Sequence, residues 1–137
     1  FRYSEDIVAK DRYLESVIKD FNTRLERYYS NSQYDSIAID GEKIESLVQD
    51  KIDEIEAMPM PNAKGVADFK KAFMRYFGFL KSMYTAYKDW GNASDDASRV
   101  AGLSTIQKLA SEASGVVDEM QEAQKKYADL NGFKVEK

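Results

Sequence analysis

Between Val66 and Trp90 the chain carries an apolar seam whose members lie alternately three and four residues apart. They are Val66, Phe69, Phe73, Tyr76, Leu80, Met83, Tyr87 and Trp90. A mean spacing of 3.5 residues keeps one stripe of a helix facing one way, so this stretch reads as a helix buried along one side against other helices. A strand is ruled out, because its faces alternate with a period of two. Phe77 and Tyr84 widen the stripe. The helix is expected over 63–90, with Asn62 as N-cap and Gly91–Asn92 as its C-terminal stop. Gly78 lies inside it and costs about 1 kcal/mol relative to alanine. It is expected to mark the close approach of another helix or of a ligand, with a local kink as the alternative.

Three further helices are expected. The first spans about 3–29. Ile7, Leu14, Phe21 and Tyr28 recur every seven residues, Ile18 and Leu25 fill intervening positions, and Val17 flanks them. Asp6–Lys10, Glu15–Lys19 and Asp20–Arg24 stand four apart, acid first, which suits an exposed face. The second spans about 36–58, with Ile37, Ile44, Leu47, Val48, Ile52, Ile55 and Met58 on one side. A later start at Gly41, capped by Asp40, is the alternative. Met58-Pro59-Met60-Pro61 ends it, since the residue before a proline is pushed out of the α region. The fourth spans about 95–131, with Ser94 as N-cap and Asp95 and Asp96 where the helix dipole favours acids. Its stripe reads Leu103, Ile106, Ala110, Ala113, Val117, Met120, Gln124 and Tyr127, and Asn131-Gly132-Phe133 suits a Schellman-type stop.

Long helices joined by short turns give an all-α fold, an antiparallel up-down-up-down four-helix bundle, and residues 1–137 read as a single domain of that kind. A chain of 137 residues buries roughly two-thirds of its unfolded surface, enough for a core. Large rings on the third helix are expected to meet Ala110, Ala113, Ser114 and Gly115 on the fourth. Six acids and two lysines lie between Glu42 and Glu56, and six bases and two acids between Lys64 and Asp89. The second and third helices therefore read as oppositely charged neighbours. Such pairs orient helices more than they stabilise them, at roughly 0–1 kcal/mol each.

Much chemistry is excluded by residue type. There is no cysteine and no histidine, so thiolate metal sites, disulfides, Ser-His-Asp or Cys-His nucleophiles, histidine-ligated haem and Glu-x-x-His di-iron centres cannot be built. Neither GxGxxG nor GxxxxGK[ST] occurs. A net charge of −4 argues against nucleic acid as a partner, since phosphate neutralisation drives that affinity. No apolar run is long enough to span a membrane. Asp50, Asp53 and Glu54 share a helical face and offer oxygen ligands, but a straight helix rarely wraps a cation, so they read as a solvated acidic face. Carboxylate-only hydrolysis of the glycosidase kind needs two acids about a cleft. The acids here are expected on exposed faces where nothing shifts their pKa. The chain is read as a non-enzyme without cofactor or metal.

Seventeen aromatic residues, nine of them tyrosine, are the most suggestive feature. An antiparallel bundle brings Tyr28, Tyr29, Tyr34, Tyr84, Tyr87 and Trp90 to one end. They form the candidate binding site for a protein partner's side chain or an apolar or sugar-like small molecule, with ordinary core packing as the bland alternative.

Two stretches carry a resemblance. One is Asp11-Arg-Tyr-Leu-Glu-Ser-Val17 with Phe21-Asn-Thr-Arg-Leu-Glu-Arg-Tyr-Tyr29, and the other is Gln124-Lys-Lys-Tyr-Ala-Asp-Leu-Asn-Gly-Phe133. They cover about a quarter of the chain, and in them it resembles the uncharacterised helical-bundle lipoproteins that Gram-negative bacteria, notably Bacteroidetes, export. The resemblance implies an extracytoplasmic location and a lipid anchor upstream of Phe1; a cytoplasmic location is the alternative. It carries no site residue. The first residue is Phe1 rather than Met, which is expected of a fragment or processed chain. The expected role is a binding module, monomeric or dimeric. A periplasmic sensor or signalling input domain is the alternative, by analogy of fold alone.

Overall fold

A computed structural model of the chain describes residues 2–133; Phe1 and residues 134–137 lie outside the described residues. It holds four helices, α1 (Arg2–Ser30), α2 (Tyr34–Ala57), α3 (Val66–Gly91) and α4 (Asp96–Asn131), and no strand among the described residues. Consecutive helices pack on one another. The cross-helix contacts give the directions. Lys10 meets Glu54 and Arg24 meets Asp40, so α1 and α2 run antiparallel. Glu56 meets Lys70 and Glu45 meets Lys88, so α2 and α3 do too. Phe69 stacks on Tyr127 while Arg75 pairs with Glu119, which reverses α4 against α3. Tyr3 touches Phe69 and Phe21 touches Tyr84, so α1 and α3 run parallel across the core. The fold is an all-α antiparallel up-down-up-down four-helix bundle.

The α3 seam is its spine. Phe69, Phe73 and Phe77 are fully buried, with Ile7, Leu14 and Phe21 from α1 and Ile37, Ile44, Val48 and Ile55 from α2. Burying a side chain of this size stabilises by roughly 1.5–3 kcal/mol relative to leaving it in water. The acidic α2 and basic α3 are neighbours. Lys88 and Thr85 both bond Glu45, Lys81 donates to Gln49 at 2.6 Å, and Lys70 reaches Glu56. Lys10 bonds Glu54 on α2 at 2.9 Å.

Helix α2 starts at Tyr34 rather than at Gly41, which lies buried inside it. Helix α3 starts later than Asn62. Gly65, with φ +75°, precedes its first residue, and the Phe69 N–H bonds the Gly65 carbonyl at 3.0 Å. Only glycine takes that backbone shape freely. A Cβ at Gly65 would also meet Leu130 Cδ1 at 2.8 Å, where the end of α4 closes over the connection. Asp95, rather than Ser94, caps α4, its carboxylate accepting from the Ser98 N–H at 2.7 Å. At the far end Gly132 is left-handed, and the Phe133 N–H bonds the Ala128 carbonyl, which is the Schellman stop.

The register of α4 departs from expectation. Its inner line is Gly102, Ile106, Leu109, Ala113, Val116, Met120, Ala123 and Tyr127, alternately four and three residues apart. Leu103 and Ala110 are exposed, as are Ser114 and Gly115, so of the four small residues expected against α3 only Ala113 is partly covered. The reason is at Gly102. Its Cα edge lies on Trp90, where a Cβ would stand 3.1 Å from the indole Cδ1. Seating the glycine there rotates Leu103 outward. Gly78 has nothing within 4 Å of where a Cβ would stand, so it marks no close approach of another helix. The close approaches are at Gly41 and Gly91, between α2 and α3.

Candidate functional site at the aromatic end

Helix α1 ends in a tight turn. The Gln33 N–H reaches back to the Tyr28 carbonyl at 2.7 Å, and Ser32 takes a left-handed φ of 54° where glycine is usual. The turn holds Tyr29 and Tyr34 on either side of it, their ring centroids 6.3 Å apart and near perpendicular. Trp90, in the last turn of α3, lies beneath both. It is stacked on Tyr29 at 5.8 Å and meets Tyr34 edge-on at 5.7 Å. Tyr87 touches Trp90 at 6.3 Å and stacks on Tyr84 at 5.7 Å, and both tyrosines meet Phe21. Five of the six expected rings therefore form one connected cluster. Tyr28 takes another course and packs its face on Arg27, with the guanidinium 5.7 Å from the ring centroid.

The six play different parts. Tyr29 is 53% exposed, while Trp90, at 5%, and Tyr84 are buried supports rather than contact surfaces. Tyr28, Tyr34 and Tyr87 are half-buried. Burial pushes the Tyr84 and Tyr87 hydroxyls above their ordinary pKa, so both are neutral donors at physiological pH.

Sequence reasoning missed Arg99. It reaches from the first turn of α4 and lays its guanidinium 3.6 Å over the Tyr34 ring, and its Nη2 donates to the Ala93 carbonyl at 2.7 Å. A cation seated so on an aromatic face is worth roughly 0.5–2 kcal/mol. Ser32, Gln33, Tyr34, Asp35, Ser36 and Arg99 line a shallow open depression of about 440 Å³ beside the cluster. Nothing in the sequence links Arg99 to Tyr34 except that antiparallel helices place the starts of α2 and α4 at one end.

Asp11 was missed as well. The acids read as exposed, yet Asp11 is 7% exposed and faces α3. Burial pushes its carboxyl up to about 7, from an ordinary 3.8. A hydrogen bond from the Tyr76 hydroxyl pulls the other way, and the charge of Glu15 adds to the rise. A signal was present, because Ser4, Asp11, Ile18 and Leu25 recur every seven residues and share one heptad position. The Asp50, Asp53 and Glu54 face is held by neighbours: Gln49 donates to Asp53, and Lys10 and Lys51 to Glu54. Among the described residues no three acids are grouped to hold a metal ion, and no helix is long and apolar enough to cross a membrane.

No protein-family model, curated protein or solved structure matches this chain.

Proposed function

We propose that the chain is a non-enzymatic binding domain that works outside the cytoplasm and receives a protein partner or a small ligand at its aromatic end. The observation that carries the reading is the half-exposed Tyr29 ring, stacked on a buried tryptophan and set beside a polar depression bordered by Arg99. A rigid ring over a packed support, next to hydrogen-bonding groups, presents contact area with little conformational entropy left to lose. The non-enzymatic part rests on the missing histidine and cysteine and on the placing of the acids. The depression carries one carboxylate, Asp35, and the shifted acid, Asp11, is buried away from it in the bundle. The extracytoplasmic part rests on the resemblance of α1 and the end of α4 to exported lipoproteins.

Site-specific photo-crosslinking in cells producing the full-length protein tests the binding reading. A photoreactive phenylalanine at Tyr29 is expected to give a discrete crosslinked species that the same probe at Glu112, exposed in the middle of α4, does not. Equal crosslinking at both positions, or none at Tyr29, contradicts the reading. The gene on either side of the chain tests the location. A lipobox cysteine upstream supports an anchored extracytoplasmic protein, and flanking membrane helices support a sensor input domain instead.

A further inference from the structure

Asp11 shares a heptad position with Ser4 before it and with Ile18 and Leu25 after it, so a carboxyl is buried where the rest of α1 goes on to place hydrocarbon. Its Oδ1 is buried without a hydrogen-bond partner among the described residues. The side chain otherwise receives the hydroxyl of Tyr76 from α3 and shares a hydrogen bond with Glu15, one turn on along α1, which favours the protonated form. We propose that Asp11 makes the seating of α1 against α3 proton-linked, with the neutral carboxyl fitting the interface and the ionised one weakening it.

The surroundings decide the sign. An ionised carboxylate taken out of water is costly unless paired. On α1, Arg12 favours the charged form and Glu15 opposes it. On α3, Tyr76 supplies one hydroxyl, and Tyr84 acts on Tyr76 behind it. On α2, Glu54 and Lys51 lie against Lys10 and Tyr13 of α1 and are engaged with Lys10 and with each other. Glu119 of α4 is paired with Arg75. Among the described residues the Tyr76 hydroxyl and Arg12 favour the charge, and burial outweighs both, which leaves the carboxyl pushed up to about 7.

An unfolded chain ionises this carboxyl near 3.8. Between that pH and about 7 the folded chain keeps a proton that the unfolded chain has lost. Folding is thus favoured at the acid side, and the advantage is lost as pH rises through this window. The unfolding equilibrium constant is expected to rise roughly a hundredfold between about pH 5 and pH 8 from this one group.

Carbon-13 NMR of the Asp11 carboxyl in the intact chain reads the titration directly. A midpoint near neutrality is expected, and a midpoint below about pH 5 overturns the proposal. Denaturant unfolding of Asp11→Asn against the unsubstituted chain reads the consequence. The variant is expected to lose most of the pH slope between pH 5 and 8, and an unchanged slope overturns the proposal. Should Asp11→Asn fail to fold, the carbon titration decides alone. Tyr76→Phe removes the donor that favours the charged form, so the Asp11 midpoint is expected to move further up. A midpoint that stays or falls overturns the pairing of Asp11 with Tyr76, an effect that lost packing alone would not mimic.

Discussion

Gly91 of α3 and Ala38 of α2 approach so closely that a Cβ built on the glycine would stand 2.5 Å from the alanine amide nitrogen. The Tyr34 carbonyl oxygen would be 2.7 Å from it. Both obstacles are backbone, which cannot turn aside as a flexible side chain would. This approach brings the start of α2 beside Trp90, where Tyr34 meets the indole edge-on.

Two glycine substitutions are therefore expected to act in opposite directions. Gly91→Ala forces the helices apart and is expected to destabilise by about 3 kcal/mol. Gly78→Ala meets nothing within 4 Å and removes a residue of poor helix propensity. It is expected to stabilise by about 0.5–1 kcal/mol. Denaturant unfolding of the two variants checks both signs.

The seating of α4 makes a second prediction. Ile106 is 6% exposed and Leu103 37%. Ile106→Ala is expected to cost about 2–4 kcal/mol through lost burial and the cavity left behind. Leu103→Ala is expected to cost less than about 1 kcal/mol, since much of that side chain is already in water. Comparable losses from the two would show that α4 faces α3 through the other line of residues.

Glu45 gives a dependence on pH opposite in sign to that of Asp11. The Thr85 hydroxyl, with Lys88 and Lys81, holds its carboxyl below the usual range despite some burial. A depressed folded pKa contributes stability that is present above the unfolded value of 4.5 and is lost as pH falls through the folded one. Glu45→Gln is expected to destabilise by about 1 kcal/mol or less at neutral pH. The difference from the unsubstituted chain should vanish in acid, and thermal unfolding at pH 7 and pH 3 reads it.

The parts of the fold that could be read in advance were those with large side chains at strict spacing. Phe69, Phe73, Tyr76, Tyr87 and Trp90 left one orientation open to α3, and antiparallel topology then placed Tyr29, Tyr34 and Trp90 together. Helix α4 offered near ties. Gly102 or Leu103, Leu109 or Ala110, and Val116 or Val117 make equally good stripes on paper, and the choice falls to the shape of Trp90, a contact between residues distant in the chain. Asp11 sat on a visible heptad position. A lone carboxyl there reads as a solvated edge until Tyr76 is known to lie opposite. Arg99 could not be assigned to Tyr34, because a cation over a ring has no periodicity to betray it. Gly78 stood out because it interrupts a helix, whereas the glycines that matter for packing, Gly41, Gly91 and Gly102, lie where another element touches them.

The aromatic end forms a single surface around the chain's one tryptophan. Nuclear Overhauser spectra of the chain in solution test this. Cross-peaks are expected from the ring protons of both Tyr29 and Tyr34 to the indole of Trp90, with the Arg99 side-chain protons shifted upfield by the Tyr34 ring. An indole that shows no contact to either tyrosine, with Arg99 at ordinary shifts, would contradict it.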